Sequence, residues 1–382
     1  MKYVIIRCED YARIGQQVSS LLEGAKTAHL QHLAQAGAAG LVRQLNTHPT
    51  IDRFALHRAA FELGPEETGT TPAECYAASV NLKLAEGETA WCCDFVTQQD
   101  GTVIDPTAGN IPTKESEALL DALNQQFGSE TRRWRLGSGS HHLLIARDPA
   151  LDQEGRAPFC SPELLVGQLW KRHLPKRAAA GEALQRIIEQ ASAFLEDHPV
   201  NRVRVDLGEN PANLMWLWGV STQDTQKTFK ERTGRSGVVI SSSFPMKGFA
   251  AALGVEWREG PASLEEAPLQ RLVKALHPAI NSHDVVYVHL RVQSADPVER
   301  LCAMERIDQI LLKSLTEMLP SQGPWRLAML IDDRVNHSVP WVAIGSGLPQ
   351  QPVAALTAQH LAMSPLAFAD GPALFSWFMK DV

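Results

Sequence analysis

Between Tyr3 and Arg7 the chain is continuously apolar and β-branched, the pattern of a strand buried on both faces. Residues 22–38 change period. Leu22, Ala25, Leu30, Leu33 and Ala34 share one face, and Gly37 and Gly40 follow, which predicts an amphipathic helix with a glycine stop. From about Thr68 the pattern becomes strand-like, with turns at Glu86-Gly87 and Asp100-Gly101. A helix over 114–127 is predicted next, then a strand pair over 131–147 turning at Gly137-Ser138-Gly139-Ser140. Ser161-Pro162-Glu163 reads as a capped helix start, and Leu184, Ile187, Ile188, Ala191 and Leu195 mark a helix over 181–196.

After Arg202, strands and helices alternate. Strands are predicted at 238–243, 284–292, 325–331 and 341–345, with helices at 246–253, 264–276 and 297–319. Asp296, Pro297 and Glu299 form a helix start directly after the strand 284–292. This rhythm predicts an α/β fold with a doubly wound, mostly parallel sheet. The core is expected from residues 1–65 and 202–382, interrupted by a smaller α+β domain over 66–201.

Bulk properties narrow the function classes. The 382 residues are 44% hydrophobic and 21% charged, with a formal net charge of −7. The densest basic runs are Arg132-Arg133-Trp134-Arg135 and Lys171-Arg172-His173, too short to favour nucleic acid or an anionic membrane. The N-terminal apolar run is too short for a signal segment, and no run is long enough to span a bilayer. A cytoplasmic protein is expected. Cys8, Cys75, Cys92, Cys93, Cys160 and Cys302 match neither a zinc ribbon nor a disulfide scaffold and read as buried reduced thiols. His29 and His32 share a helix face, but the glutamate of an HExxH zinc motif is missing.

Several segments, in order, resemble the archaeal-type cofactor-independent phosphoglycerate mutases of the alkaline phosphatase superfamily. They are MKYVII before an acidic residue, GAKTAHLQHLAQAGAAGL (24–41), CDFVTQQDGTVID (93–105), HPVNRVRVDLGENPANLMWLWG (198–219), GRSGVVISSSFPMKGFAAALGVE (234–256), DVVYVHLRV (284–292) and HSVPW (337–341). The resemblance implies an alkaline-phosphatase-like core with an inserted domain. It also implies two divalent metals that activate a Ser or Thr nucleophile and hold phosphoryl oxygens.

Set against that pattern, the chemistry is depleted. Where the resemblance implies an Asp-Gly metal contact, the chain has Asp10-Tyr11. Where it implies a serine nucleophile, PTIDRFALHRAAFELG (49–64) has no serine; Asp52 stands nearby, and His57 is expected to face solvent from a helix. The strand 284–292 carries Arg291 in place of a glutamate, and the metal-binding Asp-Glu-x-Gly-His that should follow is absent. A fixed cation there would repel two dications. LIDDRVNHSVPW (330–341) keeps Asp332, Asp333 and His337, in a shortened loop. Three substrate-anchoring arginines are replaced, at Thr70, in Cys92-Cys93-Asp94 and in Ser140-His141-His142.

The expectation is a phosphoglycerate-mutase-like protein that has lost metal-dependent phosphotransfer, needs no cofactor, and has a structural, regulatory or partner-binding role. An unidentified protein partner, a small anionic ligand and homo-oligomerisation are expected. His141, Asn201, Arg204 and Asn213 are the ligand-binding candidates; Asn201, Arg204 and Asn213, with Trp216 and Trp218, also read as buried packing between the domains. The alternative is an active phosphomutase or phosphatase using two ions such as Mn²⁺, Zn²⁺ or Mg²⁺, rebuilt around Asp10, Asp52, Asp332, Asp333 and His337.

Overall fold

The computed structural model describes residues 1–12, 18–43, 54–64, 70–147, 160–174, 179–221, 227–292, 294, 296–333 and 338–380. The strands, in chain order, are β1 (Lys2–Ala12), β2 (Ala38–Arg43), β3 (Thr89–Gln99), β4 (Thr102–Asp105), β5 (Arg132–Ser138) and β6 (His141–Ala146). They continue as β7 (Leu214–Val220), β8 (Gly237–Ser241), β9 (Glu256–Glu259), β10 (Val285–Arg291), β11 (Trp325–Asp333) and β12 (Ser338–Gly345).

Seven strands form the larger sheet in the order β2-β12-β11-β1-β10-β8-β9. β12 pairs antiparallel with both its neighbours and the other pairs are parallel, so β12 alone runs against the rest. β1 lies at the centre because its side chains alternate between two apolar layers. Val4, Ile6 and Cys8 pack with Leu30 and Leu33, with Leu269, Leu272 and Leu276, and with Ala303 and Met304. Tyr3 and Ile5 face the opposite layer, built on Phe61, Phe229, Phe249, Phe375 and Phe378. The helix start after β10 forms as the sequence predicts, with Asp296 accepting from Val298 N at 2.9 Å.

The smaller sheet is antiparallel, in the order β4-β3-β6-β5, with β7 on the other flank of β3. The sequence boundary at 201/202 therefore does not follow the sheets. Leu214–Val220 pairs with β3, a contact between segments over a hundred residues apart that local periodicity does not carry. Ser161-Pro162-Glu163 opens only the single 3₁₀ turn Pro162–Leu165, and Ser161 makes no side-chain cap.

One face of the smaller sheet covers Leu119, Leu123, Leu184, Ile188 and Leu195. The other meets the helix Pro72–Ser79 through Ala73, Tyr76 and Ala77. That helix crosses the helix Phe244–Leu253 of the larger sheet, and Ser79 Oγ donates to Phe244 O at 2.7 Å. Gly248 makes the crossing close: a Cβ there would lie 1.6 Å from Cys75 O. Backbone cannot give way as a side chain can, so Gly248→Ala must part the helices. A loss of about 1–3 kcal/mol is expected, measured by denaturant unfolding. A variant as stable as the parent would show that the helices cross elsewhere.

Candidate functional site

The parallel strands of the larger sheet end at one edge, and polar side chains replace apolar ones there on a single face. On β1, Tyr3 and Ile5 give way to Arg7 and Glu9; on β10, Val285 and Tyr287 give way to His289 and Arg291. Leu330 leads to Asp332 on β11, and Val239 to Ser241 on β8. Register sets Arg7 beside His289 and Leu330, and Glu9 beside Arg291. The short helix Ala55–Ala60 roofs this face and inserts His57.

The side chains form one buried network. Arg7 Nη2 lies 2.6 Å from Asp332 Oδ2 and 2.9 Å from Glu9 Oε1. His57 Nε2 lies 2.9 Å from Glu9 Oε1, and His289 Nε2 lies 3.0 Å from Glu9 Oε2. His57 Nδ1 meets Tyr287 Oη at 2.6 Å, and His289 Nδ1 meets Ser241 Oγ at 2.8 Å. Asp10 is held separately, by Arg291 Nε at 3.0 Å and Nη2 at 2.9 Å. Its φ of +63° interrupts the alternation of β1, a conformation that Asp tolerates better than most residues. Tyr11 beside it is wholly buried.

Burial dominates the electrostatics. It opposes the Glu9 charge, yet Arg7, His289 and His57 together hold that carboxyl well below the usual range. Burial pushes His57 down to about 3, with Arg7 adding to the effect. Burial pushes Asp332 up to about 7 against the pull of Arg7.

The structure thus brings Asp10 and Asp332 to the same strand ends, each on an arginine. Asp52 and His337 lie outside the described residues, as does the side chain of Asp333. His57 is 3% exposed, which corrects the expectation that it faces solvent. Its helix has only six residues, too few for a periodicity that would show its face. Arg7, Glu9, Ser241, Tyr287 and His289 were missed as site residues. The available signal was polar residues two apart on strands that are otherwise apolar.

The ligand-binding candidates are committed to the protein itself. His141 Nδ1 lies 3.1 Å from Asp94 Oδ1 and 2.9 Å from Tyr76 Oη, so a carboxylate occupies the place expected for an anion. Asp94 is wholly buried and also accepts from Trp218 Nε1 at 2.7 Å. Burial raises its carboxyl, and His141 opposes that rise. Asn201 donates to Leu195 O and Ala212 O and accepts from Ala212 N. Asn213 pairs with both the N–H and the C=O of Gln98. Arg204 donates to Asn210 O and Ala108 O and pairs with Glu115 at 2.6 Å. These three side chains tie segments of the smaller-sheet domain together and present no polar fork to a ligand. A cleft of about 480 Å³ lies along Glu117, Asp121, Trp134 and Arg135, among none of the expected site residues. The six cysteines are free, and five are buried. His29 pairs with Asp308 at 3.2 Å. Among the described residues no helix is long and apolar enough to cross a membrane.

Comparison with known proteins agrees with this architecture. Residues 63–201 match the family profile of 2,3-bisphosphoglycerate-independent phosphoglycerate mutase. A protein so named from Methanosarcina mazei is 28% identical over 355 residues, covering 89% of this chain and 87% of its own. One from Methanothrix thermoacetophila is 29% identical over 372 residues, covering 91% and 92%. Among solved structures, the cofactor-independent phosphoglycerate mutase of Thermoplasma acidophilum superposes with a TM-score of 0.57 at 20% identity, over 99% of both chains. A Pyrococcus horikoshii protein superposes with a TM-score of 0.69 at 18% identity, over 99% of this chain and 96% of its own. In its seven-stranded sheet and in its sequence along most of its length, the chain is similar to proteins named 2,3-bisphosphoglycerate-independent phosphoglycerate mutase.

Proposed function

We propose that this protein keeps the phosphoglycerate mutase fold but does not perform two-metal phosphoryl transfer, and serves a structural, regulatory or partner-binding role. The observation that carries this reading is the pairing of Asp10 with Arg291 and of Asp332 with Arg7. Carboxylates at these strand ends are the ligands that the family pattern implies for its dications. Here each already has a guanidinium within hydrogen-bond distance. A pair of dications placed among these carboxylates would meet two fixed positive charges in a site too dry to screen them. The buried Tyr11 fills the position where the pattern has glycine. The described residues therefore do not suit that pair of ions.

The alternative, an active phosphomutase or phosphatase, is favoured by similarity over most of the chain to proteins named as mutases. Turnover separates the two. Interconversion of 2- and 3-phosphoglycerate and hydrolysis of a simple phosphomonoester are measured with added Mn²⁺, Zn²⁺ or Mg²⁺. The expected result is no rate above the protein-free blank with any ion. Metal-stimulated turnover that Asp332→Asn abolishes would establish the alternative.

A further inference from the structure

Glu9, His57 and His289 reach one point from three parts of the chain: β1, the helix Ala55–Ala60 and β10. One ligand atom from each lies within 4.8 Å of the others, and all three residues are buried. Both imidazoles are held from behind. Ser241 Oγ sits 2.8 Å from His289 Nδ1, and Tyr287 Oη sits 2.6 Å from His57 Nδ1. These contacts turn both Nε2 atoms onto Glu9, at 3.0 and 2.9 Å. A partner on the far ring nitrogen, fixing orientation and tautomer, is characteristic of metal-binding histidine.

The chemistry of those partners matters. A hydroxyl both donates and accepts. Either tautomer of each ring therefore keeps its partner. Moving each proton from Nε2 to Nδ1 converts two N–H donors into two lone pairs aimed at one point, with no change in charge. Arg291 pairs with Asp10, and Arg7 bridges Asp332 and Glu9. Arg7 reaches Glu9 Oε1 at 2.9 Å, as an outer donor to a ligating carboxylate would, while Oε2 lies 3.0 Å from His289 Nε2.

We propose that Glu9, His57 and His289 form a buried site for a single divalent cation of the zinc class, which ties β1, β10 and the roof helix together. Two imidazole nitrogens and one carboxylate oxygen suit zinc or cobalt better than magnesium or calcium. The site takes no ligand atom from Asp10 or Asp332, although Arg7 links Glu9 to Asp332, and its burial gives it a structural rather than a catalytic role.

The test uses the full-length protein, stripped with a chelator and titrated with Zn²⁺ or Co²⁺. Bound metal is counted by elemental mass spectrometry after gel filtration, with Tm and the visible Co²⁺ spectrum as further readouts. One equivalent per chain is expected, with a higher Tm and the intense visible bands of a low-coordinate Co²⁺. His57→Ala and His289→Ala are expected to lose the ion, whereas Asp10→Asn and Asp332→Asn keep it. Ser241→Ala and Tyr287→Phe, which act only by positioning the rings, are expected to weaken binding about 10–100-fold. If the histidine variants do not fold, the parent's cobalt spectrum and these two positioning variants decide. No retained ion, or an ion indifferent to these changes, overturns the site and leaves the reading of lost phosphoryl transfer standing. Two ions lost in Asp10→Asn and Asp332→Asn, with metal-stimulated turnover, would overturn both.

Discussion

Arg7→Leu is expected to destabilise the protein by about 3–5 kcal/mol, among the largest effects of any single substitution in this fold. Arg7 is 3% exposed and bonds two buried carboxylates at once, Asp332 at 2.6 Å and Glu9 at 2.9 Å. Burial alone would weaken its charge, but Asp332 and Glu9 hold the guanidinium firmly protonated. Leucine removes the charge, leaves Glu9 to His57 and His289 alone and takes the guanidinium from Asp332 in a dry layer, where a lost charge pair is far costlier than a lost hydrogen bond. Two companion measurements identify the cause. Asp332→Asn in the Arg7→Leu background should recover part of the loss, because the orphaned charge goes with it. The single variant should also lose further stability relative to the parent as pH rises above 7. Asp332 already has a raised pKa in the folded state, about 7 against an ordinary 3.8, and loses further support without Arg7. A group whose folded pKa is raised favours the folded state below that pKa and penalises it above. A loss under about 1 kcal/mol, insensitive to pH, would mean the network does not stabilise the sheet edge.

The second large effect is an acid limb in stability that traces to His142. This ring is wholly buried, lies tilted against Phe95 with centroids 4.8 Å apart and accepts the Gly137 N–H at 3.2 Å. Burial pushes His142 down to about 3, with His141 adding to the effect. The unfolded chain takes up the proton near 6.5, well before the folded one does. The contribution is therefore complete above pH 6.5 and is lost as pH falls toward 3, on the order of 4 kcal/mol in all. His57 acts in the same direction and Asp332 in the opposite one. A difference measurement isolates His142. His142→Asn keeps an acceptor for Gly137 and removes the titrating group. Its stability should fall less steeply between pH 6.5 and 3, by close to one proton, whatever its stability at pH 7. Equal slopes for parent and variant would place the proton elsewhere.

How much of this was legible depended on whether the governing contact was local. Continuous apolar runs marked β1 and β10 because buried parallel strands need apolar side chains on both faces. Asp296-Pro297 marked its helix because capping involves neighbours in the chain. The membership of β7 was not legible, since pairing with β3 is a tertiary choice. Asn201, Arg204 and Asn213 stood out as a dense polar signature, but dense polar residues near tight turns also serve to satisfy backbone groups, as they do here. The departure at Arg291 was visible in the sequence; its pairing with Asp10 was not, because it depends on the left-handed turn at Asp10. Arg7 was hidden by its setting: an arginine two residues before an acid on a core strand looks like the strand's end until both are seen buried.

The central claim is that arginines occupy the place of the two dications. It is tested most directly by equilibrium titration of the stripped protein with Mn²⁺, comparing the parent with Asp10→Asn and Asp332→Asn. If the claim holds, the three proteins bind Mn²⁺ alike, and any ion retained is indifferent to Asp10 and Asp332. A pair of Mn²⁺ ions bound by the parent and lost in either variant would contradict it.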